Sequence, residues 1–468
     1  MNVGKWCGLV VLLLGTSSVR ADDPLDGFLD PRFGVNGLTL VDYDLPTPSF
    51  RETNDLARFS NGRLYQAATV TTNTSAGVRL RSALARVLPN GVLDTTFSGD
   101  GKQIVNNVLD PSLHRLTVRV LVQADGKPLL LSTKAAATLP GPQDKIEVCR
   151  LTAAGTQDQS FDLDGCANPV VGLTDDGKET PVSMALTPDG GIAILVRVVP
   201  PTVNTPHVVG AVYKLTSQGA RDDSFGQGVG FVLVKPPACD DCYYSDIRVL
   251  NDGSIVLAGN NGANVSFVSK LTASGMMDSS FGVAGHALYS FSNLHQIASS
   301  REYVTRLATD SQGRLYTCGG VIGQNSTIAL LAVARFEATG QLDPSFGTSG
   351  RTLRPLIDVI AYTEVNSCTV DASDRLVLAL TVGTGLSFDP GVLRLLPSGE
   401  PDTRFNQVGY VLVPIAIGIV PAAALADSLV LDGDGVVLSA NAMPENQSEN
   451  QLVLTRLGDD RLLRDGFE

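Results

Sequence analysis

One phrase, Gly-x-x-Asp-x-x-Phe, recurs seven times along this 468-residue chain, and that periodicity limits the fold more than any other feature. The phenylalanines are Phe33, Phe97, Phe161, Phe225, Phe281, Phe346 and Phe405. Three residues before each stands an aspartate: Asp30, Asp94, Asp158, Asp222, Asp278, Asp343 and Asp402. Six before each stands a glycine, from Gly27 to Gly399, and a further glycine follows four or five residues after. The phenylalanines are 64, 64, 64, 56, 65 and 59 residues apart. A period near 60 exceeds that of helical or leucine-rich repeats and fits four short strands with their turns.

A second signal lies between the phrases. Turns such as "DGKPLLLS" (125–132), "DGGIAILV" (189–196) and "DGSIVLAG" (252–259) separate two apolar runs. Asp-Gly in that setting marks a hairpin, and its positive-φ tolerance suits a primed turn. A third run then ends in a basic–apolar couplet, as in "EVCRL" (147–151) and "VLTRL" (453–457). Each unit therefore has four strands.

The chain ends decide the topology. The first Asp–Phe phrase has no couplet strand before it, and the last couplet, Arg456-Leu457, has no phrase after it. Complementary halves at the two ends are what a closed ring requires, and closure removes exposed sheet edges. The expected fold is all-β: a seven-bladed β-propeller of four-stranded blades, with residues 37–44 as the outer strand of the last blade, antiparallel to 452–457. An open β-solenoid is the alternative. In six joins a basic residue stands eight positions before the motif aspartate, as in Arg86/Asp94 and Arg335/Asp343, and Arg456 is expected to serve Asp30. Read as partly exposed pairs, each is worth about 0–1 kcal/mol. Phe is expected to pack between adjacent blades, burying roughly 150–250 Å². Seven copies of one motif read as scaffold rather than as seven active sites.

The motif resembles the delta-60 repeat family, propeller-forming units of secreted and surface proteins, mainly bacterial. The likeness spans residues 26–457. Ser98, Asp162 and Asn406 depart from it by replacing the glycine that usually follows Phe. The resemblance implies a fold and a location and no reaction. The tail "RLLRDGFE" (461–468) is similar to C-terminal tails of secreted proteins from xanthomonad-like bacteria.

Residues 1–21 read as a signal peptide, with Lys5, the apolar run 8–18 and "VRA" before a cleavage point after Ala21. Residues 22–458 form the propeller and 459–468 a tail. Cleavage removes Lys5 and Arg20, taking the net charge from −13 to −15, and also removes Trp6, the single tryptophan. An acidic chain without Lys/Arg clusters argues against nucleic acid, and no membrane span remains after cleavage. The apolar stretch 411–426 is interrupted by Pro414 and Pro421. It reads either as a strand with a buried connection or, if exposed, as a partner surface.

Six cysteines remain after cleavage, an even number that suits an oxidising compartment. The expected disulfides are Cys149–Cys166, Cys239–Cys242 and Cys318–Cys368, the last joining neighbouring units. No catalytic spacing surrounds His114, His207, His286 or His295. No cofactor is expected. "DLDG" (162–165) and "DGDG" (432–435) hint at calcium, yet each lacks a full set of oxygen ligands. Two functions stay open. One is a secreted, monomeric, non-catalytic scaffold that binds a protein or glycan. The other is a metal-dependent hydrolase or lactonase with its site in the central channel. Three or more carboxylates or amides converging on the ring axis favour the enzyme, and an empty or apolar axis favours binding.

Overall fold

The computed structural model describes residues 28–458 except 46–49, 75–76, 106–112, 136–144, 171–177, 200–207, 238, 240, 263, 298–299, 324–328, 356–361, 384–386, 434, 446 and 448. Seven antiparallel sheets follow one another along the chain, and each is a propeller blade. The innermost strands are Arg51–Arg58, His114–Val122, Lys178–Leu186, Tyr243–Val249, Arg301–Thr309, Tyr362–Val370 and Val420–Asp432, in blades one to seven. The first-to-second and third-to-fourth strand links leave from one face of the ring, here the tight-turn face. The remaining links join strand ends on the opposite face, the long-connection face. Among the described residues no helix is long and apolar enough to cross a membrane.

The first-to-second turns differ from expectation in one detail. In 59–63 the Phe59 N–H donates to the Arg63 carbonyl, and Gly62 alone takes a positive φ, of 83°. This is the three-residue form, a type I turn closed by a left-handed residue, rather than a primed two-residue turn. Blade six uses Asp374, at φ 57°, in the glycine's place.

The repeated phrase is explained by its hydrogen bonds. The basic residue at the end of the third strand is held on both sides of its backbone. The Arg335 carbonyl accepts the Asp343 N–H at 2.9 Å, and the Arg335 N–H donates to the Gly350 carbonyl at 2.9 Å. The same two bonds form at Arg86, Arg150, Lys214, Lys270 and Arg394. The aspartate also caps its own turn: Asp343 Oδ1 accepts from the Ser345 N–H and hydroxyl at 2.9 and 2.7 Å. Its other oxygen receives the arginine, at 2.7 Å from both Nε and Nη2.

The arginine then reaches the next blade. Arg150 Nη1 donates to the Ser217 carbonyl at 2.8 Å, and Arg335 Nη1 to the Pro397 carbonyl at 2.5 Å. The guanidinium lies over the motif phenylalanine, 4.7 Å from the Phe161 centroid and 4.9 Å from those of Phe346 and Phe405. Five of the phenylalanines lie under the first motif glycine of the following blade. A Cβ on Gly219 would come 2.9 Å from Phe161, and one on Gly340 3.0 Å from Phe281. The residue after Phe takes a left-handed conformation whether it is Gly347 (φ 52°) or Ser98, Asp162 or Asn406 (φ 54°, 45° and 48°). Loss of glycine there leaves the turn intact.

Three of the arginine pairs are not the partly exposed ones expected from spacing, whereas Lys214, Lys270 and Arg456 keep 10%, 14% and 21% of their side chains exposed. The side chains of Arg150, Arg335 and Arg394 are 1%, 1% and 0% exposed. The surface-pair figure of about 0–1 kcal/mol therefore does not apply to these three, because removing one partner strands a buried charge. Hydrogen bonds outweigh the burial that opposes ionisation at all seven motif aspartates, so each carboxyl is held below its ordinary value. Asp94 and Asp158 fall to about 2.

The ring closes as its ends imply. Leu38–Val41 is the outer strand of blade seven, with Leu38 opposite Thr455 and Val41 opposite Leu452. The Asp30 N–H donates to the Arg456 carbonyl at 2.9 Å, and Arg456 Nη1 stands 3.6 Å from Asp30 Oδ2. Phe33 is fully buried among Leu56, Leu64 and Val87 of blade one and Val437 and Leu454 of blade seven.

All three disulfides form. Cys149–Cys166 lies within blade two, Cys239–Cys242 in the link from blade three to four, and Cys318–Cys368 between blades five and six. The Cys149–Cys166 Cα separation is 4.0 Å. The stretch 411–426 is neither wholly core nor an even apolar patch. Val413 and Ile415 are buried, Val411 and Ile417 partly buried, and Ile419 is 98% exposed. The strand pleat separates them, so the exposed members flank a turn. The expected signal peptide, 1–21, and the tail, 459–468, lie outside the described residues.

Two outcomes test this architecture. Deleting 22–45 is expected to open the ring and lower the melting temperature far more than deleting 459–468, by calorimetry on both truncations. Arg335→Met is expected to cost roughly 3–5 kcal/mol in denaturant unfolding, and a loss below about 1 kcal/mol would make the join a surface pair after all.

Candidate functional site

Every inner strand carries one extra residue. The pairing register jumps between Thr53 and Asp55, Thr117 and Arg119, Pro181 and Ser183, Tyr244 and Asp246, Val304 and Arg306, Val365 and Ser367, and Ala426 and Ser428. These bulges lie at one height in all seven blades. A bulge re-aims side chains, and here it brings one polar residue per blade to the axis. Asp55, Arg119, Ser183, Asp246, Arg306, Ser367 and Ser428 all line one cavity of about 400 Å³. From this ring the lining continues toward the tight-turn face through Leu121, Leu186, Val249 and Leu431.

Two of the axial carboxylates hold the neighbouring strand. Asp55 Oδ2 accepts the Val120 N–H at 3.0 Å, and Asp246 Oδ2 accepts the Leu307 N–H at 2.9 Å. Their other oxygens take serine hydroxyls, Ser428 to Asp55 at 3.1 Å and Ser183 to Asp246 at 2.7 Å. Arg119 stands between them, 3.9 Å from Asp55 and 3.8 Å from Asp246. Burial opposes ionisation of Asp246, but Arg248, Arg119 and Arg306 hold its carboxyl below the ordinary value. A third carboxylate, the bulged residue Asp427, behaves oppositely. Burial and the charge of Asp55 push it up to about 6, against the partial relief of Arg306 and Arg119. Burial and repulsion from Arg119 bring Arg306 down to about 10.

The axis is thus neither empty nor a set of free carboxylates: Asp55 and Asp246 share its lining with Arg119, Arg248 and Arg306, and Asp427 stands close enough to Asp55, Arg306 and Arg119 to feel their charges. Among the described residues one cluster has the reach of a metal site, Glu147, Cys149 and Cys166. Both of its sulfurs are spent in a disulfide, and Glu147 Oε2 accepts Arg115 Nε at 2.6 Å. It does not fit a metal.

A second concavity opens on the long-connection face between blades four and five. It has a volume of about 620 Å³ and is lined by Tyr243, Tyr244, Asn260, Arg301, Glu302 and Tyr303 among others. Tyr243 is 51% exposed, with the Arg197 guanidinium 5.4 Å from its ring centroid. The Tyr303 ring rests on Gly320, where a Cβ would come 2.4 Å from its hydroxyl. Burial raises the Glu302 carboxyl, while the Ser290 hydroxyl and Phe291 N–H hold it in place at 2.8 and 2.7 Å. A third, apolar groove of about 730 Å³ lies at the rim, where Leu29, Val35, Leu40 and Val92 meet Pro414 and Ile415.

The residues singled out in the sequence are scattered. The motif aspartates and phenylalanines stay in the blade joins. His114 and His295 each accept a backbone N–H at 3.1 Å, His286 pairs with the Ser269 hydroxyl at 2.8 Å, and His207 lies outside the described residues. In 162–165, Asp164 accepts the Cys166 N–H at 2.9 Å. In 432–435, Asp432 pairs with Arg58 at 2.7 Å, and Asp434 lies outside the described residues. The axial ring was missed because its members share no residue type. A β-branched or apolar residue two places before each would not mark it either.

A family of propellers described as a domain of unknown function (DUF5122) beta-propeller matches residues 60–97 and 250–281. Both spans run through a motif copy, ending at Phe97 and Phe281. No curated protein matches the chain. Solved structures with a similar path include the polysaccharide lyase Uly1, at 12% identity, covering 91% of this chain and 93% of that one, with a TM-score of 0.47. A protein of unknown function from Dyadobacter fermentans has 10% identity, covers 74% and 95%, and has a TM-score of 0.40. The GH93 alpha-L-arabinofuranosidase of Fusarium graminearum, in complex with arabinobiose, has 9% identity, covers 75% and 94%, and has a TM-score of 0.38. These likenesses are too distant to bear on activity.

Asp427 gives a stability test. Its folded-state pKa is raised, so its stability contribution is present at low pH and lost as pH rises through about 6. Asp427→Asn is expected to stabilise the protein by roughly 1–3 kcal/mol at pH 7.5 and hardly at all at pH 4, read from thermal melts at both values.

Proposed function

We propose that this chain is a non-catalytic β-propeller of the delta-60 repeat type that acts outside the cytoplasm as a binding scaffold for a glycan. The cleft between blades four and five carries this reading. Tyr243 and Tyr303 offer aromatic faces, and Asn260 and Arg301 offer hydrogen-bonding groups beside them. Such a combination stacks on sugar rings and reads their hydroxyls. With Trp6 assigned to the signal peptide, tyrosine takes the stacking role. Three disulfides favour an oxidising compartment. A protein partner is the second reading, favoured by the apolar rim groove and the 98% exposure of Ile419 beside it.

The hydrolase alternative has less support, because Asp55 and Asp246 are committed to neighbouring strands and Asp427 faces two arginines. Affinity electrophoresis against a panel of neutral and acidic polysaccharides tests the proposal. Retarded migration is expected, weakened about tenfold or more by Tyr243→Ala, with no reducing ends or opened lactones released in the presence of calcium, magnesium or zinc. Metal-dependent release by the purified protein overturns it.

A further inference from the structure

We propose that the axial cavity is a binding site for a small carboxylate-bearing molecule, held by the guanidinium groups of Arg306 and Arg119 and by the Ser367 hydroxyl. This site is separate from the tyrosine cleft. Arg306 lines the cavity, yet the only hydrogen bond of its guanidinium among the described residues is a long one, 3.4 Å, from Nη1 to the Thr305 carbonyl. No carboxylate oxygen of the described residues comes within 4.0 Å of it. Arg119 donates from Nε to the Ser183 hydroxyl at 3.2 Å, and its terminal nitrogens stand 3.9 and 3.8 Å from Asp55 and Asp246, beyond hydrogen-bond range. Ser367, 5% exposed, lines the same cavity.

Contrast the blade joins. There Arg86, Arg150 and Arg335 are each tied to a carboxylate, a ring and a carbonyl. At the axis Arg306 keeps its planar N–H fork without a carboxylate within 4.0 Å, and Arg119 holds its two only at 3.9 and 3.8 Å, in a setting where a poorly paired charge is costly. A carboxylate matches such a fork with two parallel hydrogen bonds, and a lysine in its place would not. The cavity volume, about 400 Å³, admits a molecule of monosaccharide-acid or aromatic-acid size.

The charge balance adds a second feature. Arg119 and Arg306 share the lining with Asp55 and Asp246, with Arg248 at the edge, 45% exposed, and both also act by charge on Asp427 of the same bulge. A bound anion adds negative charge beside Asp427, whose neighbours are Asp55, Arg306, Arg119 and the Ser439 hydroxyl. Asp427 therefore takes up a proton as the ligand enters. Its pKa of about 6 places the loss of affinity above that pH, approaching tenfold per pH unit and roughly thirtyfold between pH 5 and 7.5.

Isothermal titration with acetate, benzoate and D-glucuronate, and with D-glucose as the uncharged control, tests this on the full chain. At least one carboxylate is expected to bind at one site at pH 5 and about thirtyfold more weakly at pH 7.5, while glucose does not bind. Arg306→Gln should weaken binding at least about tenfold. Asp427→Asn, the variant that guards against a folding defect, should bind equally at both pH values. Tyr243→Ala should leave carboxylate binding unchanged, which separates this site from the glycan cleft. Absence of binding for all three acids up to about 10 mM, or equal affinity in Arg306→Gln, overturns the proposal.

Discussion

The ring depends on one residue held from three directions. At each blade join the basic residue of the third strand gives its carbonyl to the motif aspartate and takes the second motif glycine's carbonyl on its N–H. At Arg86, Arg150, Arg335 and Arg394 the guanidinium also covers the phenylalanine and, at the first three, crosses to the next blade. Each of these contacts is modest alone. Together they form a connected buried network, which in a low dielectric is worth more than its parts. Glycine is required where the next blade arrives over the phenylalanine, because a Cβ on Gly219 or Gly275 would meet the ring at 2.9 Å.

Having secured the blades at the tight-turn face, the fold is free to vary elsewhere. The innermost strands need only pair with their second strands and bulge at the same height. What each bulge presents to the axis is not dictated by packing, and the seven axial residues are accordingly Asp, Arg, Ser, Asp, Arg, Ser and Ser. Asp55 and Asp246 combine both levels, since the same carboxylates that face the channel also cap the adjacent strand. The chemistry of the site is therefore written onto the inner edge of the scaffold rather than on loops alone.

Much of the scaffold was legible in the sequence. Asp30 and Phe33 at one end and Arg456 at the other were visible as halves of a join, because the six complete copies fix what is missing. Cysteine spacing was readable for the same reason: Cys149 and Cys166 fall on strands that the repeat makes neighbours. The burial of Arg150, Arg335 and Arg394 was not readable. An eight-residue spacing gives proximity, but the covering atoms come from the next blade. The axial ring was hidden more deeply. Its members are one per blade and unlike in type, and a bulge leaves no local signature in apolar alternation. The extra residue shifts the inward face by one. Asp427 shows this well, standing directly after the apolar stretch 411–426 with nothing around it to mark a bulge.

The antiparallel pair of Phe28 with Gly458 puts both described ends of the chain at the rim of one blade. Any segment joined before the first or after the last of these residues leaves from a single point on the circumference. A tether there acts as a handle on the edge of a disc. It lies at the tight-turn end of the third strand, away from the face on which the tyrosine cleft opens, so attachment and ligand capture there need not compete for surface.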